Sequence, residues 1–326
     1  MTFEQPELCT LTDMRNALGS GAVSAHELVI ASLARIAALD ATYHAVLVTN
    51  PDALLIADAL DAERARGTVR GPLHGIPVLV KDNLDTADSM PTTAGSLALA
   101  GTHASSDSTV VRKLRAAGAV LLGKTNLSEW ANFRSTRSSS GWSSVGGQTR
   151  NAYDATRTPG GSSSGSAVAV ALGYCAAAVG TETDGSIVTP AAMNGIVGIK
   201  PSIGLVSRAG IIPIAASQDT AGVMTRTVRD GAIMLAAIAG TDPRDSATST
   251  CASPDFAAAL ENRGLRGVRL GVARTYTGYH DRVDQVLETA IVALRDAGAE
   301  VIDEVALTAA DVIRVPERVV MEYEFK

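Results

Sequence analysis

Short apolar runs alternate with helical patterns along most of the chain, and this alternation limits the possible folds. Ile76 to Val80 is a continuous apolar run, typical of a strand buried on both faces of a sheet. Strands that alternate with helices predict an α/β layered domain with a mostly parallel core. We predict helices at 10–40, 50–67, 107–117, 167–172, 228–239 and 283–297, and strands at 76–80, 119–122, 176–179, 268–272 and from 301 onward.

The first two helices are predicted from their start signals. Ser24 and Glu27 have the spacing of a capping box, in which each residue satisfies a backbone N–H of the other. Asn50 and Pro51 have the pattern of a cap followed by a proline in the first turn. Both signals precede apolar residues at helical spacing, so each helix is expected to bury one face.

The composition excludes several classes of function. A formal net charge of -6 argues against binding to nucleic-acid phosphates. Cys9, Cys175 and Cys251 lie far apart, so neither disulfides nor a zinc site is favoured. The longest apolar run, 167–179, is shorter than the roughly 20 residues that a membrane span needs. With no signal-peptide pattern either, we expect a cytoplasmic protein with no nucleic-acid or membrane partner.

The stretch from Ala176 to Thr189 has the pattern of a nucleophile site. The apolar run breaks at Gly180, and the polar turn that follows ends in Gly185 and Ser186. A serine in such a turn can expose its hydroxyl while neighbouring backbone N–H groups converge on one oxygen, as in an oxyanion hole. The alternative is that Ser186 only caps the next helix.

A serine needs a base, and none of the five histidines lies in a motif-like setting. Lys81 follows the apolar run at 76–80, and a buried lysine can serve as base if its pKa falls. A serine from the glycine- and serine-rich run 160–166 would relay the proton. The alternatives are a solvated surface lysine and a flexible linker.

The glycine- and serine-rich run 160–166 also contains a second motif. Gly161 to Gly165 fits G-x-S-x-G, the nucleophile elbow of α/β-hydrolases, with Ser163 as nucleophile. That elbow requires a strand directly before it, whereas 151–159 has the composition of a loop. It also requires a downstream histidine, and the sequence offers His280 alone. This alternative stays open on sequence grounds.

Taken together, these stretches resemble the amidase signature family of serine hydrolases. The serine-rich run and the Ser186 turn match the family signature, and Ser186 follows Ser162 by 24 residues, as the family pattern requires. The other matching segments are 75–82, 92–96, 123–129, 198–204 and 219–222. The resemblance implies an amidase-signature-like layered α/β fold, with a central twisted mixed, mostly parallel sheet covered by helices on both faces.

The resemblance implies a Ser–Ser–Lys triad. Ser186 would be the nucleophile, Ser162 would shuttle the proton and take part in a cis peptide bond, and Lys81 would be the final base. The reaction would be amide hydrolysis through an acyl-enzyme. No metal-ligand cluster, Walker loop or dinucleotide fingerprint is present in the sequence, so we expect no cofactor.

The remaining site residues are also implied by the resemblance. The backbone N–H groups of Thr183, Asp184, Gly185 and Ser186 would form the oxyanion hole. Substrate contacts would come from Ser163, Asn126 and Asp184.

Departures from the usual signature indicate a branch of the family. Glu182, Asp184 and Val188 replace the usual Asp, Gly and Arg, and these changes resemble the peptide amidase branch, whose members act on C-terminal peptide amides. The expected partner is a small-molecule or peptide amide, and the chain is expected to be a monomer or a homodimer. The alternatives are the amidase subunit of a tRNA-dependent amidotransferase, or an inactive truncated amidase fragment.

The sequence is expected to form a single amidase domain over residues 1–326. It would contain N-terminal helices at about 10–67, a signature core at about 71–240, and an incomplete C-terminal part. Family members are longer, and the chain stops inside a helical pattern at 319–326. We therefore expect a C-terminally truncated fold, exposed apolar surface along the last helix and reduced stability.

Overall fold

The computed structural model forms two compact units, which divide the chain at Ala257 and Ala258. The organisation into a single amidase domain stays a prediction. The structure describes residues 9–251, 256, 258–260, 264–303, 305–308 and 310–325.

A six-stranded sheet forms the centre of the first unit. Its strand order is β1-β3-β2-β6-β8-β7, and the three central strands β3, β2 and β6 run parallel. The pairs β1–β3, β6–β8 and β8–β7 are antiparallel, so β1 and β8 oppose the other four strands. The strands are β1 (Val46–Thr49), β2 (Pro77–Lys81), β3 (Val120–Thr125), β6 (Ala177–Glu182), β7 (Val197–Ile199) and β8 (Thr220–Thr225), with a separate two-stranded ribbon of β4 (Trp142–Ser143) and β5 (Gly147–Gln148).

Helices flank this sheet, which confirms the predicted layered α/β fold with a mixed, mostly parallel sheet. Helices α2, α3, α5 and α7 contact the strands. The helices of the first unit are α1 (Leu11–Ser20), α2 (Ala25–Tyr43), α3 (Ala53–Ala65), α4 (Thr109–Ala116), α5 (Ser164–Ala171), α6 (Val188–Met193) and α7 (Val228–Ile238).

The predicted helix at 10–40 is two helices, so that prediction is wrong in its continuity. Gly21 adopts a φ of 73°, and its N–H bonds to carbonyls of the last turn, which ends α1. The capping box at Ser24 and Glu27 then starts α2, as predicted. The helical pattern did not reveal this break, since apolar residues continue on both sides of it.

The carboxyl ends of the central strands lie at one edge of the sheet. Lys81, the last residue of β2, pairs with Thr125, the last residue of β3. On the other side Val80 pairs with Val179, and β6 continues to Glu182. All residues of these three strands are buried, because helices and neighbouring strands cover them. The functional side chains therefore leave a rigid, buried platform.

The second unit contains a parallel pair of strands and two helices. Strand β9 (Arg269–Gly271) pairs with β10 (Glu300–Ile302), and helix α8 (Asp281–Asp296) lies between them in sequence. Helix α9 (Ala310–Phe325) follows, and it exposes apolar side chains such as Val315 and Tyr323, as predicted. Lys326, the end of the predicted terminal helix, lies outside the described residues.

No helix in the described ranges combines the length and the apolar character that crossing a membrane demands.

Candidate active site

Lys81 is the centre of the site. Its side chain is completely buried at the end of β2. Its Nζ lies 2.7 Å from Ser162 Oγ and 2.9 Å from Thr181 Oγ1, and it donates a longer bond of 3.3 Å to the Thr181 carbonyl. The sheet brings these residues together, since β6, which carries Thr181, is the neighbour of β2.

Burial changes the protonation of Lys81. Removal from water disfavours the ammonium and lowers the pKa of Lys81 to about 7, although the charges of Asp219 and Glu182 act in the opposite direction. A substantial share of Lys81 is therefore neutral near pH 7. A neutral lysine amine has a lone pair, so it can accept a proton from the Ser162 hydroxyl.

Ser162 lies just before helix α5 and is completely buried. The peptide bond between Gly161 and Ser162 is cis, as expected from the resemblance. The Ser162 carbonyl accepts a hydrogen bond of 3.1 Å from the backbone N–H of Ser128. This contact and the bond to Lys81 hold Ser162 on two sides.

Ser186 lies in a tight turn between β6 and α6. Glu182, the last residue of β6, closes the turn, because one of its carboxylate oxygens accepts bonds from the backbone N–H groups of Ile187 (2.6 Å) and Val188 (2.9 Å). Gly185 has a φ of 78°, a conformation that glycine adopts without strain. Ser186 is largely buried, at 6% exposure.

A backbone bond joins the Ser186 turn to the start of α5. The N–H of Ser163 donates to the Ser186 carbonyl at 3.0 Å, so Ser186 lies beside the residue that follows Ser162. Among the described residues, the Ser186 hydroxyl makes no direct hydrogen bond to Ser162. The structure thus brings Lys81 and Ser162 into contact and places the backbone of Ser186 beside Ser163, the residue that follows Ser162.

The same turn presents a set of backbone donors. Within the described part of the chain, the N–H groups of Asp184, Gly185 and Ser186 have no hydrogen-bond acceptor. Consecutive N–H groups in such a turn form a concave site for a negatively charged oxygen. These donors are what stabilisation of a tetrahedral oxyanion requires.

A cavity of about 300 Å³ lies beside this site. Thr181 and Thr183, at the end of β6, line one part of it. The apolar segment from Ile211 to Ile214 forms another part of the lining. The cavity is large enough for a compact organic group next to the Lys81 contact.

Comparison with known proteins identifies the chain's family. The family model "Amidase" matches residues 27–315, which is most of the chain. The chain belongs to the amidase family.

Named relatives agree with this assignment. A protein named probable amidase from Arabidopsis thaliana is 44% identical over 318 residues, which are 96% of this chain and 60% of that protein. A glutamyl-tRNA(Gln) amidotransferase subunit from Chloroflexus aurantiacus is 46% identical over 297 residues, which are 90% of this chain and 60% of that protein. The chain therefore spans about three-fifths of the length of these two relatives.

A solved structure is similar as well. The native peptide amidase of Stenotrophomonas maltophilia superposes with a TM-score of 0.93 at 52% sequence identity. The match covers 98% of this chain and 66% of that chain. The architecture around Lys81 is therefore that of an amidase, while about a third of that structure has no counterpart in this chain.

The predicted substrate contacts of Asn126 and Ser163 are not favoured by the structure. Asn126 is completely buried, and its amide bonds to the carbonyls of His44 and Gly147, to Ser143 and to its neighbour Leu127. Its hydrogen-bonding groups therefore hold loops together.

Ser163 is likewise completely buried. Its hydroxyl donates to the Thr181 carbonyl at 3.0 Å and accepts from the Thr181 N–H at 3.2 Å. This double contact holds the end of β6 and disfavours Ser163 as a nucleophile. Asp184, in contrast, has an exposed side chain at the turn and is accessible to a substrate.

The sequence did not single out three residues that shape the site. Thr181 bonds to Lys81, Glu182 closes the Ser186 turn, and the Asp219 carboxylate accepts a bond from the Thr183 hydroxyl. Glu182 was noted as a departure from the family pattern, and Asp219 lies in a segment that matched the family. Their roles depend on contacts across the sheet, which the sequence does not display.

The residues that the structure describes contain no group of three or more His, Cys, Asp or Glu side chains able to hold a metal ion. The absence of a cofactor stays a prediction.

Proposed function

We propose that the chain carries the catalytic apparatus of an amide hydrolase. Ser186 is the nucleophile, Ser162 relays its proton and Lys81 is the base. The observation that carries this proposal is the contact of 2.7 Å between Lys81 Nζ and Ser162 Oγ, made by a completely buried lysine whose pKa is lowered to about 7.

The first half of the reaction forms an acyl-enzyme. Neutral Lys81 takes the proton of the Ser162 hydroxyl, and Ser162 takes the proton of Ser186 as the Ser186 oxygen attacks the amide carbonyl. The N–H groups of residues 183–186 stabilise the oxyanion. Collapse of the tetrahedral intermediate breaks the C–N bond, and the proton held by Lys81 returns through Ser162 to the departing ammonia or amine.

The second half releases the acid. Water attacks the acyl-enzyme carbonyl and gives up a proton along the same relay to Lys81. The intermediate then breaks its bond to Ser186 Oγ, which takes a proton back. The products are a carboxylic acid and the regenerated serine, so the two proton transfers to and from Lys81 balance.

The proposed substrates are C-terminal peptide amides or related small amides. Support comes from the likeness to the peptide amidase of Stenotrophomonas maltophilia, at 52% identity over 98% of this chain. The exposed carboxylate of Asp184 lies in the turn with the free N–H groups, where a substrate group could meet it. We place the reaction in the cytoplasm, with the enzyme as a monomer or homodimer.

The direct test is ammonia release from a C-terminally amidated dipeptide by the purified chain. Release should vanish in Ser186→Ala and persist in Ser202→Ala, which removes the hydroxyl of an exposed serine. Release that survives in Ser186→Ala would remove Ser186 from the mechanism. A folded wild-type chain that hydrolyses no amide would count against the activity.

A second candidate is the amidase subunit of a tRNA-dependent amidotransferase. The observation in its favour is the 46% identity to the glutamyl-tRNA(Gln) amidotransferase subunit from Chloroflexus aurantiacus. This function predicts ammonia release from glutamine in the presence of partner subunits. If the chain alone hydrolyses an amidated dipeptide efficiently and does not hydrolyse free glutamine, the peptide amidase function is favoured over the amidotransferase function.

A further inference from the structure

Asp219 connects two parts of the site that lie far apart in sequence. It immediately precedes β8, whose first residue, Thr220, pairs with Glu182 at the end of β6. This antiparallel register places Asp219 next to Thr183, the first residue of the turn that carries Ser186. Asp219 also lines the cavity.

The two carboxylate oxygens of Asp219 have different partners. One accepts a hydrogen bond from the Thr183 hydroxyl. The other accepts bonds from the backbone N–H groups of Ile214 (2.8 Å) and Ala215 (2.9 Å). One side chain therefore ties the turn with free N–H groups to the apolar wall of the cavity.

The cavity wall is suited to an uncharged group. Its apolar part comes from the segment Ile211 to Ile214. Two guanidinium groups also line the cavity, and each has a carboxylate partner: Arg208 lies 2.7 Å from Asp245, and Arg244 lies 3.6 Å from Asp242. Both oxygens of Asp219 accept hydrogen bonds, one from Thr183 and the other from the wall. A compact apolar group thus meets little uncompensated charge there.

We propose that Asp219 is a positioning residue that locks the oxyanion turn onto this wall, and that the cavity takes a compact apolar group on the acyl side of the substrate amide. The proposal rests on the proposed amide hydrolysis. A group seated against the 211–214 wall is held at a fixed distance from the N–H donors of the turn, because Asp219 joins the two. The wall then aligns the scissile carbonyl with the donors.

A carboxylate suits this task better than an amide. Both partners of Asp219 are donors, so both of its oxygens must accept. Asparagine offers an acceptor oxygen and a donor NH2. If its oxygen stays on the wall, its NH2 faces the Thr183 hydroxyl, so Asp219→Asn replaces the charge-assisted bond from Thr183 with a weaker, neutral bond of reversed direction. Thr183→Val removes the turn bond alone, and Thr183→Ser keeps it.

The kinetic test compares these variants on two amidated dipeptides, one with leucine and one with glycine next to the scissile amide. Thr183→Val and Asp219→Asn should each lower kcat about 10- to 100-fold, the size expected from a small misplacement of the reacting groups. Thr183→Ser should restore wild-type kcat, and the double variant should lose no more than Asp219→Asn alone. Two results would overturn the proposal. One is a loss of kcat in the double variant that equals the product of the two single losses, and the other is an unchanged kcat in Thr183→Val.

The cavity is tested by the preference for leucine over glycine. In the wild type, kcat/KM should be higher for the leucine substrate than for the glycine substrate. Asp219→Asn should reduce this ratio. No preference in the wild type would contradict the assignment of the cavity to an apolar acyl-side group. Thr225→Val is the matched control, since it removes a buried hydroxyl that bonds to the Thr227 carbonyl at the other end of β8.

Hydrogen exchange tests the same connection without turnover. Thr183→Val and Asp219→Asn should speed exchange of the hydrogen-bonded amides of this turn, those of Ile187 and Val188, while Thr183→Ser and Thr225→Val should not. Unchanged exchange in Thr183→Val would overturn the positioning role even if the chain is active. An inactive wild type in which exchange responds as expected would reject amide hydrolysis and keep the connection.

Discussion

The surroundings of Lys81 and Lys124 differ, although both lysines are completely buried at the carboxyl ends of adjacent parallel strands. Lys81 bonds to the hydroxyls of Ser162 and Thr181. Lys124 donates to the Leu84 carbonyl at 2.7 Å and to the Thr92 hydroxyl at 3.0 Å, and its Nζ lies 4.0 Å from an oxygen of Asp82. Both lysines bond to hydroxyls, but among the described residues only Lys124 also has a carboxylate within 4.0 Å.

The register of the strands places the two lysines on opposite faces of the sheet. Lys124 pairs with Val80, the neighbour of Lys81, and Thr125 pairs with Lys81. Because successive side chains of a strand alternate between faces, Lys124 lies on the face of Val80 and Lys81 on the other. The sheet therefore separates the ion pair from the serines.

The comparison shows what makes a buried lysine a base. Burial lowers the pKa of both lysines, and carboxylates oppose this change at both, with Asp219 and Glu182 acting on Lys81 and Asp82 acting on Lys124. Among the described residues Lys81 has no carboxylate within ion-pair distance, and its pKa falls to about 7. A close counter-charge favours the ammonium, so we expect Lys81, which lacks a carboxylate within ion-pair distance, to give up its proton more readily than Lys124.

Exchange of each lysine for methionine should separate catalysis from stability. Lys81→Met should lower kcat/KM for an amidated dipeptide by about 1,000-fold or more, since general-base catalysis contributes about 10²- to 10⁴-fold. The fold should survive, because methionine fills the same space without a buried charge. Circular dichroism checks the fold, and activity within tenfold of wild type would contradict the role of Lys81.

Lys124→Met should instead destabilise the fold. Removal of one partner of a buried ion pair leaves Asp82 buried and unpaired, which costs about 3–5 kcal/mol. Urea unfolding measures this loss in the free energy of unfolding, with Lys81→Met as the matched control. A loss below about 1 kcal/mol would mean that the pair with Asp82 does not hold the lysine charged.

The pH dependence should follow Lys81. Its neutral form exists above its pKa of about 7, so kcat/KM should rise with pH through about 7 and then level off. Stability has a related dependence, since the folded pKa lies below the ordinary lysine value of 10.5. The unfolded chain binds the proton more tightly, so Lys81 costs most stability below pH 7, and this cost fades as pH rises toward 10.5.

Two measurements test the predicted directions of change of kcat/KM and of stability with pH. The rise of kcat/KM between pH 6 and 8 is checked with a peptide amide that does not titrate there. The stability of Lys81→Met relative to wild type should be highest below pH 7 and should decline above it. A rate that falls as pH increases through 7 would reverse the assignment of Lys81 as base.

The smallest expected effect is the coupling between Asp82 and Lys124. Asp82→Asn removes the charge that Lys124 faces, and burial already raises the pKa of Asp82 to about 6. The double variant Asp82→Asn with Lys124→Met should be more stable than the sum of the single losses predicts, by about 0.5–3 kcal/mol. Additive losses in urea unfolding would show that the two side chains do not act as a pair.

Local sequence patterns predicted the parts of the molecule that local physics determines. The apolar run at 76–80 indicated a buried strand, and the strand begins and ends within one residue of it. The same run placed Lys81 at a strand end, where it was a candidate for burial but a solvated surface position was the alternative. The alternation of strands and helices likewise led to the correct fold class.

Features that depend on partners distant in sequence were not predictable in this way. Strand β8 pairs with β6, and β7 pairs with β8, although the glycine-containing sequences of β7 and β8 carry little strand signal. The bond between Thr183 and Asp219 spans 36 residues and exists because of the register of β6 and β8. Lys124 and Lys81 both follow apolar residues, so the sequence did not distinguish the ion pair from the base.

The most direct test of the account is the titration of the Lys81 side chain itself. The chain is labelled with carbon-13 at the lysine Cε atoms, and the Lys81 signal is assigned by its loss in Lys81→Met. Its NMR shift is then followed against pH. The account predicts a midpoint at about 7. A midpoint near the value of 10.5 for an ordinary lysine would mean that Lys81 is an ammonium at neutral pH, and that it is not the base.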